Sequence, residues 1–144
     1  MVAAPQEIGP AGLLRRLGAM VYDALVVIAL VMVTLFLLTG LNRFEAVHGP
    51  WVNAILFLEI FAFFAFFWIR RGQTLGMLAW RLRVQNPGGV PINLTQATLR
   101  FIGALLALLT LGLGYLWMYV DPGRRTWPDL LSASEVVVLA KRAG

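Results

Sequence analysis

The sequence contains no cysteine and only one histidine, His48. Without cysteine there is no disulfide framework, no thiol nucleophile and no thiolate ligand for a metal. A single histidine excludes a multi-histidine metal cluster within one chain, and we expect His48 to be a solvated loop residue. The sequence therefore predicts no enzymatic activity and no cofactor, and it leaves the question of a bound metal open.

Charged residues are also scarce. They make up 13% of the 144 residues, whereas 60% are hydrophobic, and a soluble domain is usually about 25% charged. So small a domain cannot bury this much apolar surface, because its surface-to-volume ratio is high. Lipid must solvate the excess, which predicts one integral membrane domain. The net charge of +5 lies on basic residues that flank apolar runs. That placement suits anionic lipid headgroups and not nucleic acid.

Three apolar segments run from about Leu14 to Leu38, Trp51 to Ile69 and Phe101 to Val120. Each has roughly the 20 residues that a helix needs to cross a hydrocarbon core. The third contains Gly112 and Gly114 near its centre, so it is either a single span or a re-entrant hairpin of two half-helices. The predicted fold is an all-α integral membrane protein with two spanning helices and this third segment.

Arginines cluster between the second and third segments. By the positive-inside rule this loop and the N-terminus are cytoplasmic, in a multi-pass protein of the bacterial cytoplasmic (inner) membrane. Apolar residues at helical spacing around 75–82 predict a short interfacial helix. Apolar residues on both sides of the turn at 86–89 predict a small cytoplasmic β-hairpin, and the valine-rich run 135–139 is a strand expected to pair near Val84.

The termini are predicted to be less structured than the domain between them. Residues 1–13 form a flexible cytoplasmic segment, residues 14–139 the membrane domain, and residues 140–144 a basic tail.

Several ionisable side chains lie within or beside the apolar segments. Asp23 and Glu59, counted from the cytoplasmic ends of their helices, both lie roughly 13–15 Å deep, which predicts one shared layer. An acid at that depth costs about 2.5–3.5 kcal/mol or more, so each should be protonated or paired with a cation. Arg16 lies on the same helical face as Asp23, and Arg100 opens the third segment.

Structural roles explain some of these residues equally well. Asp23 can lock helices together as a polar contact, and Glu59 can be a protonated acid facing another helix. Thr126 and Asp129 have the spacing of a helix capping box, which gives the carboxylate a purely structural task.

Four groups of residues, in order and spacing, resemble the RDD family, a small membrane domain named for one arginine and two aspartates. They are Arg16 with Asp23, then 72–76 with 82–84, then Arg100 with 112–117, and finally 124–129 with 136–138. The resemblance covers residues 14–139 and marks Asp129 as the second aspartate. It implies a membrane domain for which transport of ions or small ligands has been suggested.

The chain departs from the family pattern at two positions. Met77 stands where the family commonly has lysine, and Pro128 where histidine often precedes the aspartate, so proton or anion roles that depend on those positions are not carried over. Glu59 lies outside the family signature.

These observations lead to two functional hypotheses. In the first, Arg16, Asp23, Glu59, Arg100 and Asp129 form an intramembrane polar site for proton-coupled transport of a monovalent cation or of a small ligand. One copy has too few helices to enclose an aqueous path, so this hypothesis requires a homo-oligomer or a membrane partner. In the second, the protein is a non-transporting membrane accessory or scaffold whose charged network holds a fold that partners recognise.

Overall fold

The structure, a computed structural model, describes residues 6–141. Residues 1–5 and 142–144 lie outside the described residues, and with them parts of both predicted terminal segments. The elements in chain order are β1 (Glu7–Pro10), α1 (Leu13–Leu41), α2 (Pro50–Arg70), α3 (Leu75–Ala79), β2 (Leu82–Gln85), α4 (Leu94–Leu109), α5 (Leu113–Leu116), a 3-10 turn (Trp117–Tyr119), α6 (Trp127–Ser132) and β3 (Glu135–Leu139).

The two long helices, α1 and α2, coincide with the first two predicted apolar segments. Both are long and apolar enough to cross a membrane. The 29 residues of α1 extend over about 44 Å, more than the ~30 Å of a hydrocarbon core. The surplus lies at the N-terminal end, where α1 packs against α3. The first turns of α1 therefore belong to the part of the domain that contains the short helix and the sheet.

The third apolar segment is not one straight helix. Helix α4 and the α5 segment meet at 109° across a break of a few residues. Leu111 and Gly112 in the break have φ angles of +58° and +87°. Glycine adopts such angles at little cost, and Gly112 is the residue from which α5 starts. The chain then turns back, and α6 packs against α4.

A small antiparallel sheet in the order β1-β3-β2 joins the chain before α1 to the chain after α2 and after α6. Val84 is opposite Val136, which confirms the predicted pairing of the valine-rich strand near Val84. Since all three strands lie together, the segment from α4 to α6 leaves and returns to the same end of the molecule.

The predicted hairpin around 86–89 is wrong. The turn closes with a hydrogen bond from the Asn86 N–H to the Val90 carbonyl at 2.7 Å, but 90–92 do not form a strand. The outer edge of β2 is already occupied: Val84 donates to the Gly72 carbonyl, and the Gln73 side chain donates to the Leu82 carbonyl. With that edge taken, β2 pairs with β3 alone.

Strand β1 lies in the segment expected to be flexible. Glu7 is opposite Leu139, and Pro10 is opposite Val137. Proline lacks a donor and is tolerated here because β1 is an edge strand. Only Ala11 and Gly12 separate β1 from α1, so the sheet fixes where α1 begins.

Candidate functional site: a polar layer between two cavities

A buried carboxylate, Asp129, organises the polar residues at the sheet end of the helices. It lies in the first turn of α6, where the Thr126 N–H donates to its Oδ2 at 3.2 Å, so the predicted capping box is present. The same oxygen accepts from Arg16 Nη2 at 2.8 Å, and Oδ1 accepts from Arg100 Nη1 at 2.8 Å. Asp129 is 1% exposed. One carboxylate therefore ties α1 and α4 to α6.

The two arginines differ in how completely their donors are used. Arg16 also donates from Nε to the Ala11 carbonyl at 3.2 Å and from Nη1 to Thr126 Oγ1 at 3.4 Å. Arg100 also donates from Nη1 to Ser134 Oγ at 2.7 Å, and its guanidinium lies 5.5 Å from the centre of the Trp68 ring. Its buried Nε has no partner among the described residues. Each nitrogen of the Arg16 guanidinium donates a hydrogen bond, whereas Nε and Nη2 of Arg100 donate none to the described residues.

The charges of this group keep Asp129 ionised. Burial by itself raises the pKa of the carboxyl, but the guanidinium groups of Arg100 and Arg16 lower it by more, so the pKa lies below its ordinary value of 3.8. Breaking such a buried pair leaves an uncompensated charge and is strongly destabilising. We call Arg16, Arg100, Asp129, Thr126 and Ser134 the polar layer.

Asp23 fixes the start of α3. Its Oδ2 accepts from Thr74 Oγ1 at 2.5 Å, and its Oδ1 accepts from the Gly76 N–H at 2.8 Å. Thr74 in turn caps α3 by accepting from the Met77 N–H at 3.2 Å. A Cβ atom on Gly76 would overlap the carbonyl oxygen of Ala19, so glycine permits this close approach of α3 to α1. Asp23 thus holds two helices together, as the structural alternative proposed.

Glu59 does not share a layer with Asp23, and that prediction is wrong. Its Oε1 accepts from Thr34 Oγ1 at 2.5 Å, and its buried Oε2 has no partner among the described residues. Thr34 follows Asp23 by eleven residues, which is about 16 Å along α1. Since Glu59 precedes Arg70 by eleven residues as well, Asp23 lies near the level at which α2 ends. The two acids lie at different depths because α1 is longer than α2 at its N-terminal end.

On the side of the polar layer that faces away from the sheet, helices α1, α2 and α4 surround a cavity of about 420 Å³. Each helix contributes residues at a spacing of three or four: Ala24 and Val27, Phe64 and Trp68, Ala104 and Leu108. Arg16, Asp23 and Arg100 lie at its closed end and are at most 6% exposed, whereas Leu108 at its far end is 56% exposed. The cavity is therefore apolar, open on one side and terminated by charge.

A second cavity of about 660 Å³ lies on the sheet side. Its lining is more polar and includes Glu7, Arg124 and Glu135. Arg16 and Val136 line both cavities, whereas Arg100 lines the apolar cavity and Asp129 lines the sheet-side cavity. The polar layer is thus part of a thin wall between an apolar space and a polar one.

Of the five residues predicted as one site, the structure brings together Arg16, Arg100 and Asp129, places Asp23 on the same cavity, and leaves Glu59 apart. Sequence reasoning missed Thr74 and Ser134. Thr74 had a detectable signal, since threonine before a short apolar run at helical spacing is typical of an N-cap.

The two departures from the family pattern, Met77 and Pro128, both line the apolar cavity. Within residues 6–141, no group of three or more histidine, aspartate or glutamate side chains is arranged to hold a metal ion.

Comparisons with known proteins give one result. Neither the curated proteins nor the solved structures include a match to this chain. The sequence model of the RDD family matches residues 10–133. This span contains both long helices, the cavity-lining part of α4 and the whole Arg16–Asp129–Arg100 group. The chain therefore belongs to the RDD family of membrane proteins.

Proposed function

We propose that this protein binds a small ligand in the apolar cavity and transfers it between the bilayer and the cytoplasmic face. One observation carries the proposal: Arg16 and Val136 form a common wall of an apolar cavity and a polar one. The apolar volume of about 420 Å³ is within the roughly 300–1,000 Å³ of small-molecule sites. Opening the wall would join the two spaces.

The arrangement of basic residues supports a cytoplasmic location for the sheet and both ends of the described chain. Arg70 and Arg71 follow α2, Arg83 lies in β2, and Arg124 and Arg125 precede α6. All of these lie at the sheet end, and the positive-inside rule assigns that end to the cytoplasm of a bacterial inner membrane. The bent α4–α5 segment is then a re-entrant hairpin, since it begins and ends on that side.

Proton-coupled cation exchange is supported less well. Each oxygen of Asp23 and of Asp129 already accepts a hydrogen bond, and Glu59 is about 16 Å further along α1. A cation would need carboxylates that are free and close to one another. If Asp23→Asn and Glu59→Gln both abolished pH-linked cation flux in vesicles, the exchange mechanism would replace ligand transfer.

A scaffold role is the second candidate, and the closed polar layer favours it. Two arginines that pair with one carboxylate and so join α1, α4 and α6 are sufficient to hold a recognition surface in shape. Such a protein would keep a fixed membrane partner and leave the cavity empty. Transfer, in contrast, requires an occupied cavity and a homo-oligomer or partner to complete the path. In neither role do we propose catalysis.

The test of ligand binding fills the cavity without touching the polar layer. Ala104→Phe places a ring in the cavity, and Leu106→Phe adds a ring to the same helix at a position that does not line the cavity. The full chain, extracted from membranes in a mild detergent, is analysed by native mass spectrometry. We expect small-molecule adducts on the wild type and on Leu106→Phe that are lost from Ala104→Phe. Identical adducts on all three proteins would contradict the proposal.

A further inference from the structure

The polarity of the apolar cavity changes along its length. Its closed end contains Arg16 and Arg100, and its open end contains Val27 and Leu108. Arg100 and Leu108 lie eight residues apart on α4, or about 12 Å. The charged end is near the level at which α2 ends, and the apolar end points toward the middle of the helices. A lipid in the adjacent leaflet has its headgroup and its acyl chain in this same order.

Two guanidinium nitrogens at the charged end, Nε and Nη2 of Arg100, donate no hydrogen bond to the described residues. Arg100 is 5% exposed, and its buried Nε has no hydrogen-bond partner among the described residues. A buried donor without an acceptor is unfavourable, and Arg100 is one of the residues that line the apolar cavity, so an acceptor bound there can approach its guanidinium. The tyrosine ring of Tyr115 lines the same cavity.

We propose that the ligand is an anionic amphiphile of the bilayer, with one small acidic head group at Arg100 and an acyl chain along the apolar wall. A carboxylate or a phosphate monoester supplies the acceptor that Arg100 lacks, because both accept charge-assisted hydrogen bonds from guanidinium. The inference rests on the proposed function, since it identifies the ligand class of the same cavity.

The other charges that face the cavity leave room for such a head group. Arg16 and Asp129 are paired with each other, so with Arg100 the polar layer has one positive charge in excess. Asp23 also lines the cavity, and both of its oxygens are occupied by Thr74 and Gly76. It balances the overall charge, but it lies toward α3, whereas the unused donors belong to α4.

The test compares two probes that differ only in charge: myristate and the uncharged alcohol of the same chain length. Binding is measured by calorimetry on the full chain in phosphatidylcholine nanodiscs, with empty nanodiscs subtracted. A charge-assisted hydrogen bond predicts that the acid binds about 10- to 100-fold more tightly than the alcohol. Acetate should bind far more weakly than myristate, because each buried CH₂ contributes about fourfold.

Two variants separate the head-group contact from the apolar contact. Arg100→Lys keeps a positive charge beside Asp129 but lacks Nε, so it should reduce the preference for acid over alcohol. Ala104→Phe should weaken both probes equally, and Leu106→Phe should change neither. Unfolding curves identify any variant that does not fold, and Ala104→Phe leaves every residue of the polar layer in place.

Each outcome has one reading. If the wild type binds the acid and the alcohol equally tightly, the ligand is not anionic. The cavity would still be a ligand-binding site. Tight acetate binding would mean that the ligand is a soluble anion and not a bilayer amphiphile. If Ala104→Phe loses the adducts of the wild type but the wild type does not bind myristate, the anionic ligand is again overturned and the proposed function is kept. If Ala104→Phe changes neither the adducts nor the binding of the probes, both this inference and the proposed function fail.

Discussion

Removing the charge of Asp129 should destabilise the protein more than any other conservative single change in the polar layer. The variant Asp129→Asn keeps the size of the side chain and an oxygen that can accept from the Thr126 N–H. It removes the negative charge that compensates two arginines, which are 6% and 5% exposed. Loss of one partner from a buried ion pair costs about 3–5 kcal/mol. We expect a value near the upper end, because two cations lose their partner together.

A second substitution separates charge from capping. Asp129→Ala also removes the acceptor for the Thr126 N–H, a hydrogen bond of about 1 kcal/mol, so it should be less stable than Asp129→Asn by that amount. Asp121→Asn is the matched control, because Asp121 pairs at 3.1 Å with Arg125, whose side chain is half exposed. Loss of the Asp121 charge should cause no resolvable change in the free energy of unfolding.

The measurement is the free energy of unfolding, from loss of helical circular dichroism as denaturant is added to the protein in micelles. The pH dependence gives an independent check. Because the folded pKa of Asp129 lies below the ordinary value of 3.8, its ionisation stabilises the fold above that value, and the contribution is lost as pH falls through the folded pKa. Wild-type stability should therefore decline below about pH 4, and Asp129→Asn should lack this component. Wild-type-like stability of Asp129→Asn would refute the argument.

Three further changes test other parts of the structure. Gly76→Ala should lower the free energy of unfolding by about 1–3 kcal/mol, because the added Cβ overlaps the Ala19 carbonyl. Gly40→Ala is the control and should not lower it, because a Cβ there meets nothing within 4 Å. Equal effects of the two substitutions would contradict the close approach of α3 to α1. Glu59→Gln should leave cavity binding unchanged, since Glu59 contacts Thr34 and does not line the cavity; altered binding would place it in the site. In the cysteine-free chain, Lys141→Cys should react with an impermeant thiol reagent only from the cytoplasmic side. Labelling from outside would contradict the cytoplasmic location of the sheet end.

The long helices were predictable from the sequence for a simple physical reason. Lipid provides no hydrogen-bond partners, so an apolar run of sufficient length has to be helical. The break in the third segment also had a local signal, because Gly112 takes the positive φ that ends α4 and starts α5. The β3 strand was readable from its valines, which favour extended backbone.

The relative depth of the acids was not predictable in the same way. Counting from Leu14 assumes that α1 enters the bilayer at its first turn, yet those turns pack against α3. The offset depends on the Asp23–Thr74 and Asp23–Gly76 contacts, which join residues more than fifty positions apart. The edge of β2 was misjudged because its partner at Gly72 is set by the fold and not by the adjacent turn.

Under the proposed transfer of a ligand, the buried charges would determine which molecules can open the wall between the cavities. The Arg16–Asp129–Arg100 group closes the wall between two cavities, and separating it without compensation costs several kcal/mol. A ligand can open such a wall only if it binds the open form more tightly than the closed one. An acidic head group meets that condition, because it can accept from Arg100 as Asp129 withdraws. An uncharged molecule of the same shape cannot, so it should fill the apolar cavity without being passed on.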